Sequence, residues 1–192
     1  QAVKMADAFD AGTGTWKTGI VTGEGEEAAA ASGDSFSYYA IEDAADWEAF
    51  AASVNAGNTL AGKTVVLTQN VDLSSLELQP VGLMNTKAGV MDSKFSGIFD
   101  GQGNTVTIAV NDSEKAYESH SVALFGCIEN AVIKNLTVEG TMNITQFAGA
   151  VSTGGGISPV VGHLAGSSEL SYVINKCDVT VTSTLNSNNS AG

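Results

Sequence analysis

Five carboxylates, Asp72, Asp92, Asp100, Glu129 and Asp178, are the side chains here whose type could cleave a glycosidic bond. That reaction needs two carboxyl groups about 5–9.5 Å apart, flanking the scissile linkage. Polysaccharide elimination would also need a base, commonly a basic side chain, and the chain has eight lysines and no arginine. No Ser, His and Asp follow one another in the order of a hydrolytic triad, and there is neither an HExxH sequence nor a phosphate-binding loop. His120 and His163 have no carboxylate or cysteine at ligand spacing. Cys127 and Cys177 sit in comparable strand contexts and read as two small buried hydrophobes rather than a disulfide. The run from Asp100 to Asn104 has oxygen donors, but it lacks the alternating acidic ligands and closing glutamate of a calcium loop. The expectation is a protein that is not an enzyme and holds no cofactor or metal.

What would position these side chains is a series of short strands turning at glycines. In the stretch around Phe95, Gly97, Phe99, Asp100, Gly101, Gly103 and Asn104, two apolar residues precede two turn dipeptides. Glycine takes positive φ without a Cβ clash, and Asp or Asn bonds to nearby backbone. After the corner, Val106, Ile108 and Val110 alternate with Thr105, Thr107 and Ala109, the period of a half-buried strand. Further strands are expected at 63–68, 71–73, 122–128, 132–138 and 173–181. Polar loops are expected at 85–94, 111–121 and 140–156. One helix is expected at 43–57: Asp43 caps it, Trp47, Phe50, Ala51 and Val54 form an apolar stripe, and Gly57 ends it. Such a stripe needs an apolar surface to cover, and the open end of a β stack supplies one.

Composition narrows the class. The 192 residues suit one domain with an appendage, and 43% hydrophobic content allows a buried core. A net charge of −13 without arginine argues against nucleic acid or an anionic membrane surface as partner. No apolar run reaches the length of a membrane span, so no membrane insertion is expected of this chain. Gln1 in place of Met, without a signal-peptide pattern, points to a processed or excised chain. Residues 1–37 read as an N-terminal arm with a short strand at 15–22, and 38–192 as the main domain, with solenoid turns over about 63–182.

Self-similarity supports stacking. Leu124, Phe125 and Gly126 match Val160, Val161 and Gly162, and Ile133 and Asn135 match Ile174 and Asn175. Asn135 and Asn175 would then lie near matching corners and bond along a ladder. Short strands, glycine corners and recurring apolar positions suit a coil whose turns stack at about 4.8 Å. A sandwich would prefer tight hairpins and even spacing.

Trp47 and Phe50, Val54 and Asn55, the run from Gly62 to Leu67, Asn70 to Leu73, Pro80 to Gly82, Phe95 to Gly101, Leu124 to Gly126 and Ile133 to Leu136 form an ordered series. Over residues 38–182 it resembles bacterial and archaeal adhesin-like surface proteins with GLUG-type repeats, which also occur beside immunoglobulin-A-cleaving metallopeptidases. The resemblance implies an all-β chain folded as a right-handed parallel β-helix with one N-terminal capping helix, placed outside the cell or on its surface. It carries over no catalytic residue.

The expected function is therefore a non-enzymatic structural or adhesive module of a surface protein, with a protein or glycan surface ligand as partner. Two alternatives stay open: a filament subunit joined to other copies by its N-terminal arm, and a carbohydrate-binding or carbohydrate-cleaving solenoid. Asn111, Asn143 and Asn188 are candidate glycosylation acceptors, as is the less accessible Asn135.

Overall fold

The structure, a computed structural model, describes residues 2–17, 38–85, 88–112, 121–146 and 156–183. In chain order the elements are β1 (Ala2–Lys4), α1 (Met5–Ala8), β2 (Phe9–Asp10), β3 (Thr15–Trp16), β4 (Tyr38–Ile41), α2 (Ala44–Asn55), β5 (Thr64–Leu67), β6 (Val71–Asp72), β7 (Leu83–Asn85) and β8 (Val90–Ser93). They continue with β9 (Ile98–Asp100), β10 (Thr105–Asp112), β11 (Ile128–Glu129), β12 (Val132–Gln146), β13 (Leu164–Ala165) and β14 (Glu169–Ser183). The strands are mostly parallel and wind into a β-solenoid of about four turns.

Three faces line the coil. On the first, β1, β4, β5, β9 and the starts of β12 and β14 stack in parallel. Its inward column is Val3, Tyr39, Val65, Phe99, Ile133 and Leu170; the four central members are fully buried. On the second, β6, β10 and the later parts of β12 and β14 stack, with Val71, Val106 and Val138 in one inward column and Val110, Met142 and Val179 in another. The third has bridges rather than long strands: Val81, Phe125 and Val161 form one column, and Phe95 pairs Ile128, which pairs Leu164. Alternation explains this arrangement. Apolar residues every second position fill the coil interior, and each backbone group between turns finds its partner in the next.

The first turn closes differently. After β4 the chain enters α2, whose Asp43 N-cap carboxylate accepts from the Asp46 N–H at 3.0 Å, as the capping pattern predicts. Gly57, at φ 102°, ends the helix, its N–H donating to the Val54 carbonyl. Trp47, Phe50, Ala51 and Val54 are all buried; Phe50 meets Phe95, Phe99 and Phe125 inside the coil, and Trp47 meets Phe99 and Phe125. The helix thus closes the N-terminal end of the stack with side chains that enter it.

The described part of the arm lies on this same end. Residues Ala2–Lys4 add a parallel strand to β4, and Met5, Ala8 and Phe9 are buried in the common core. Thr15 and Trp16 pair antiparallel with Asp10 and Phe9 of their own chain, and the Trp16 indole donates to Asn58. The arm's lock is Asp46, which is fully buried: one carboxylate oxygen accepts from the Ala6 N–H and the other from the Glu42 N–H, both at 2.9 Å, with the Lys4 ammonium 3.6 Å away. Asp46→Ala strands both N–H groups and removes one of the three carboxylates around Lys4, leaving Glu42 and Asp43 at 3.4 Å. We expect a loss of about 2 kcal/mol, concentrated at residues 2–17 and read as faster amide exchange and proteolysis there. Unchanged exchange at Ala6 would contradict this.

Four expectations need correction. The repeat alignment slips: Ile133 pairs Leu170, Ile174 pairs Thr137, and Asn175 lies opposite Val138, so Asn135 and Asn175 form no ladder. Each corner breaks the two-residue alternation, and equivalent apolar residues on its two sides can be matched four positions out of step. The polar excursion expected from residue 140 is strand β12 up to Gln146; buried Met142 and Ile144 alternate there with polar neighbours. The loop expected at 85–94 holds half of the antiparallel pair β7 and β8, whose outer residues Val90 and Met91 are exposed. The strand expected at 122–128 is reduced to bridges at Val122 and Phe125 with only Ile128 entering β11.

Candidate functional site

The corner between the first and second faces carries the densest polar network of the expected motif. Asp100 ends β9, and its Oδ1 accepts from the Gln102 N–H and the Asn135 side-chain amide, both at 3.0 Å. Its Oδ2 faces the Lys134 ammonium at 3.4 Å. Gly101 donates its N–H to the Lys134 carbonyl, and Gly103 donates to that of Asn135. Asn104 donates to the Leu67 carbonyl one turn earlier. Asp100 and Asn135 therefore clip two successive turns together, and the motif residues meet as a structural corner. Burial pushes the Asp100 carboxyl up, but the Asn135 and Gln102 donors and the Lys134 charge together outweigh it, so the group titrates below the ordinary aspartate range. The N-terminal cap behaves alike: the Asp46 N–H, helped by Lys4, holds Asp43 down.

These depressions have a sign. A carboxyl whose folded pKa lies below its unfolded value binds more protons when unfolded, so its stabilisation is complete above the unfolded value of about 3.9 and is lost as pH falls through the lowered folded value. The urea midpoint should hold from neutral pH down to about 4 and decline below it. An Asp43→Asn/Asp100→Asn double variant, which keeps an N-cap amide, should show a shallower acid decline. An identical slope in both proteins would assign the acid sensitivity elsewhere.

Most of the remaining motif residues are interior or spacing elements. Phe95, Phe99, Leu124, Phe125 and Ile133 are buried, with Phe99 and Phe125 in edge-to-face contact at 5.2 Å. Gly97 and Gly126 lie where turns approach one another. Ile174 and Asn175 are exposed on β14.

The five carboxylates lie on five different strands. Asp72 on β6 accepts from the Ser74 N–H, Asp92 on β8 from the Asn85 amide, and Glu129 on β11 pairs with Lys94. Asp100 is held as described, and Asp178 stands exposed on β14 opposite Thr141. Both thiols are free, and burial pushes each up to about 11, which makes them poor nucleophiles at neutral pH. No group of three or more His, Cys, Asp or Glu with metal-holding placement occurs among the described residues. His120 and Asn188 lie outside the described residues, and His163 is half-buried. Asn111 and Asn143 are exposed neighbours on the second face, where the Asn143 amide donates to the Asn111 side-chain oxygen at 3.0 Å. An asparagine ladder thus exists, one face away from where the repeat alignment placed it.

The last turn is exposed, as expected where no second helix pattern follows residues 173–181 to cap the stack. Strand β14 runs for 15 residues, about 50 Å of edge at 3.3 Å per residue, and β12 is its only ladder partner among the described residues. Leu170 is 39% exposed and Val179 36%, whereas Ile133 and Met142, their partners one turn earlier, are fully buried. No described helix is long and apolar enough to cross a membrane. No protein-family model, curated protein or solved structure matches the chain.

Proposed function

We propose that the chain is a non-enzymatic structural or adhesive β-solenoid module of a cell-surface or extracellular assembly, whose last turn meets another polypeptide. The observation that carries this reading is the uncovered turn at β14. A parallel edge of this length offers unpaired N–H and C=O groups and half-exposed apolar side chains, the surface to which a further strand adds. The ordered motif series supports the surface location. The dispersal of the carboxylates over separate elements favours a structural role over glycoside cleavage. The pairing of β3 with β2 of its own chain, with Phe9 buried beside it, speaks against an arm-mediated filament joint through Thr15 and Trp16.

The test uses the full chain. Sedimentation velocity at rising concentration, together with adhesion of displayed protein to cells and matrix, is compared between the parent and a Leu170→Lys/Val179→Lys variant. The parent should associate or adhere and the folded variant should not. A parent that stays monomeric and adheres to nothing overturns the proposal.

A further inference from the structure

Tyr172 occupies a backbone position that its side chain does not suit. In the last two turns the corner has one geometry: Lys134, Asn135, Leu136 and Thr137 in one, Ser171, Tyr172, Val173 and Ile174 in the next. The second residue of each is left-handed, Asn135 at φ 54° and Tyr172 at φ 53°. Asparagine tolerates this region because its short side chain bonds locally, whereas a bulky side chain there is strained. Burial does not repay the strain, since Tyr172 is 84% exposed. Its ring and hydroxyl have no partner among the described residues. Strain with no internal compensation points to an external use.

Beside the ring runs an open groove of about 530 Å³, lined also by Asp100, Gln102, Asn135, Thr137 and Ile174. It crosses successive turns, from Asp100 through Asn135 to Tyr172 on the last. The side chains of Gln102 and Thr137 hold no hydrogen bond among the described residues, and Asn135 uses only its amide N–H₂, leaving its side-chain oxygen open. The Asp100 charge is already countered by Lys134. The groove therefore offers one flat apolar ring next to neutral amides and a hydroxyl. That set matches a pyranose, whose C–H face stacks on an aromatic ring while its hydroxyls exchange hydrogen bonds with amides. A net charge of −13 disfavours anionic sugars.

We propose that this corner groove binds a neutral linear oligosaccharide, with Tyr172 as its stacking platform. The site stands on its own geometry and does not depend on the surface-module reading.

The experiment titrates the full chain with tetrasaccharides of cellulose, maltose, mannan, xylan and N-acetylated chitin at millimolar concentration, read by saturation-transfer NMR and calorimetry. At least one should bind saturably. Tyr172→Ala should weaken it about tenfold or more, and Tyr172→Phe, which keeps the ring, by only a few-fold. Tyr172→Asn separates function from structure: it supplies the residue that the equivalent corner already uses, so binding is lost while the melting temperature holds or rises by a few degrees. The proposal is overturned if no sugar of the panel binds the parent, if Tyr172→Ala binds as the parent does, or if Tyr172→Asn lowers the melting temperature. A Tyr172→Asn variant whose sedimentation changes while the parent binds no sugar would make the groove a polypeptide contact instead.

Discussion

Phe50→Ala is expected to lower the unfolding free energy by about 3–5 kcal/mol, a large share of the 5–15 kcal/mol that holds a typical domain together. Phe50 is fully buried and is the hub of the aromatic interior. Its ring lies 5.3 Å from Phe95 edge-on, 5.9 Å from Phe99 in a stack, 6.2 Å from Phe125 and 5.7 Å from Trp47. Those partners sit on different turns of the solenoid and on the helix itself. Phe99 is held in a parallel ladder, Phe95 and Phe125 by bridges to neighbouring turns and Trp47 by the helix, so the neighbourhood resists collapse into the space left by the ring, and the cavity cost adds to the lost burial. Because α2 closes the stack, the loss should also loosen β4 and β5. Urea unfolding followed by circular dichroism measures it, with Phe50→Leu as the volume-sparing comparison at under about 1.5 kcal/mol. An alanine variant within 1 kcal/mol of the parent would mean that the helix rests on the coil without being keyed into it.

The parts of the fold legible in the sequence were those written in residue type at short range. Alternation on either side of Asp100 and Gly101 marked strands, the stripe from Trp47 to Val54 marked the helix, and Asp43 and Gly57 marked its ends. The match of Phe125 with Val161 also held, an offset of 36 residues that bridges the third face. Longer-range placement was less legible. Ile133 was matched with Ile174 by identity, while the structure matches it with Leu170, because a corner residue resets which alternate positions face inward. Had the two corners been aligned instead, Tyr172 would have fallen on Asn135, and the mismatch of a bulky ring with a left-handed position would have been visible without coordinates. The burial of Asp46 is not legible locally, because its partners Ala6 and Glu42 come from the arm and from the residue after β4. The uncovered last turn, by contrast, was legible, since no second apolar helical stripe follows residues 173–181 to close that end.

Gly140→Val is expected to cost more than about 3 kcal/mol and to disrupt the second face rather than merely weaken it. Strand β12 carries Gly140 opposite Ile108 of β10 and Cys177 of β14, in mid-ladder, where a β-branched residue would ordinarily be favoured. The backbone there has φ 115°, and a Cβ would stand 1.9 Å from the Ile108 carbonyl oxygen. Backbone on the neighbouring turn cannot step aside as a side chain could, because Val110 and Met142 are buried two positions further on and fix the two strands in register. Gly103 supplies the contrast. It too has positive φ, 81°, but a Cβ there would meet nothing within 4 Å. Gly103→Ala therefore feels only the conformational term, about 1 kcal/mol, while Gly140→Ala feels that term and the collision together. Denaturation midpoints for the three variants, with amide exchange of Val106, Ile108 and Met142 as the local readout, distinguish the two effects. Equal losses for Gly140→Ala and Gly103→Ala would show that positive φ alone selects glycine at 140, and that the turns stand further apart at this point than the close approach of β12 to Ile108 requires.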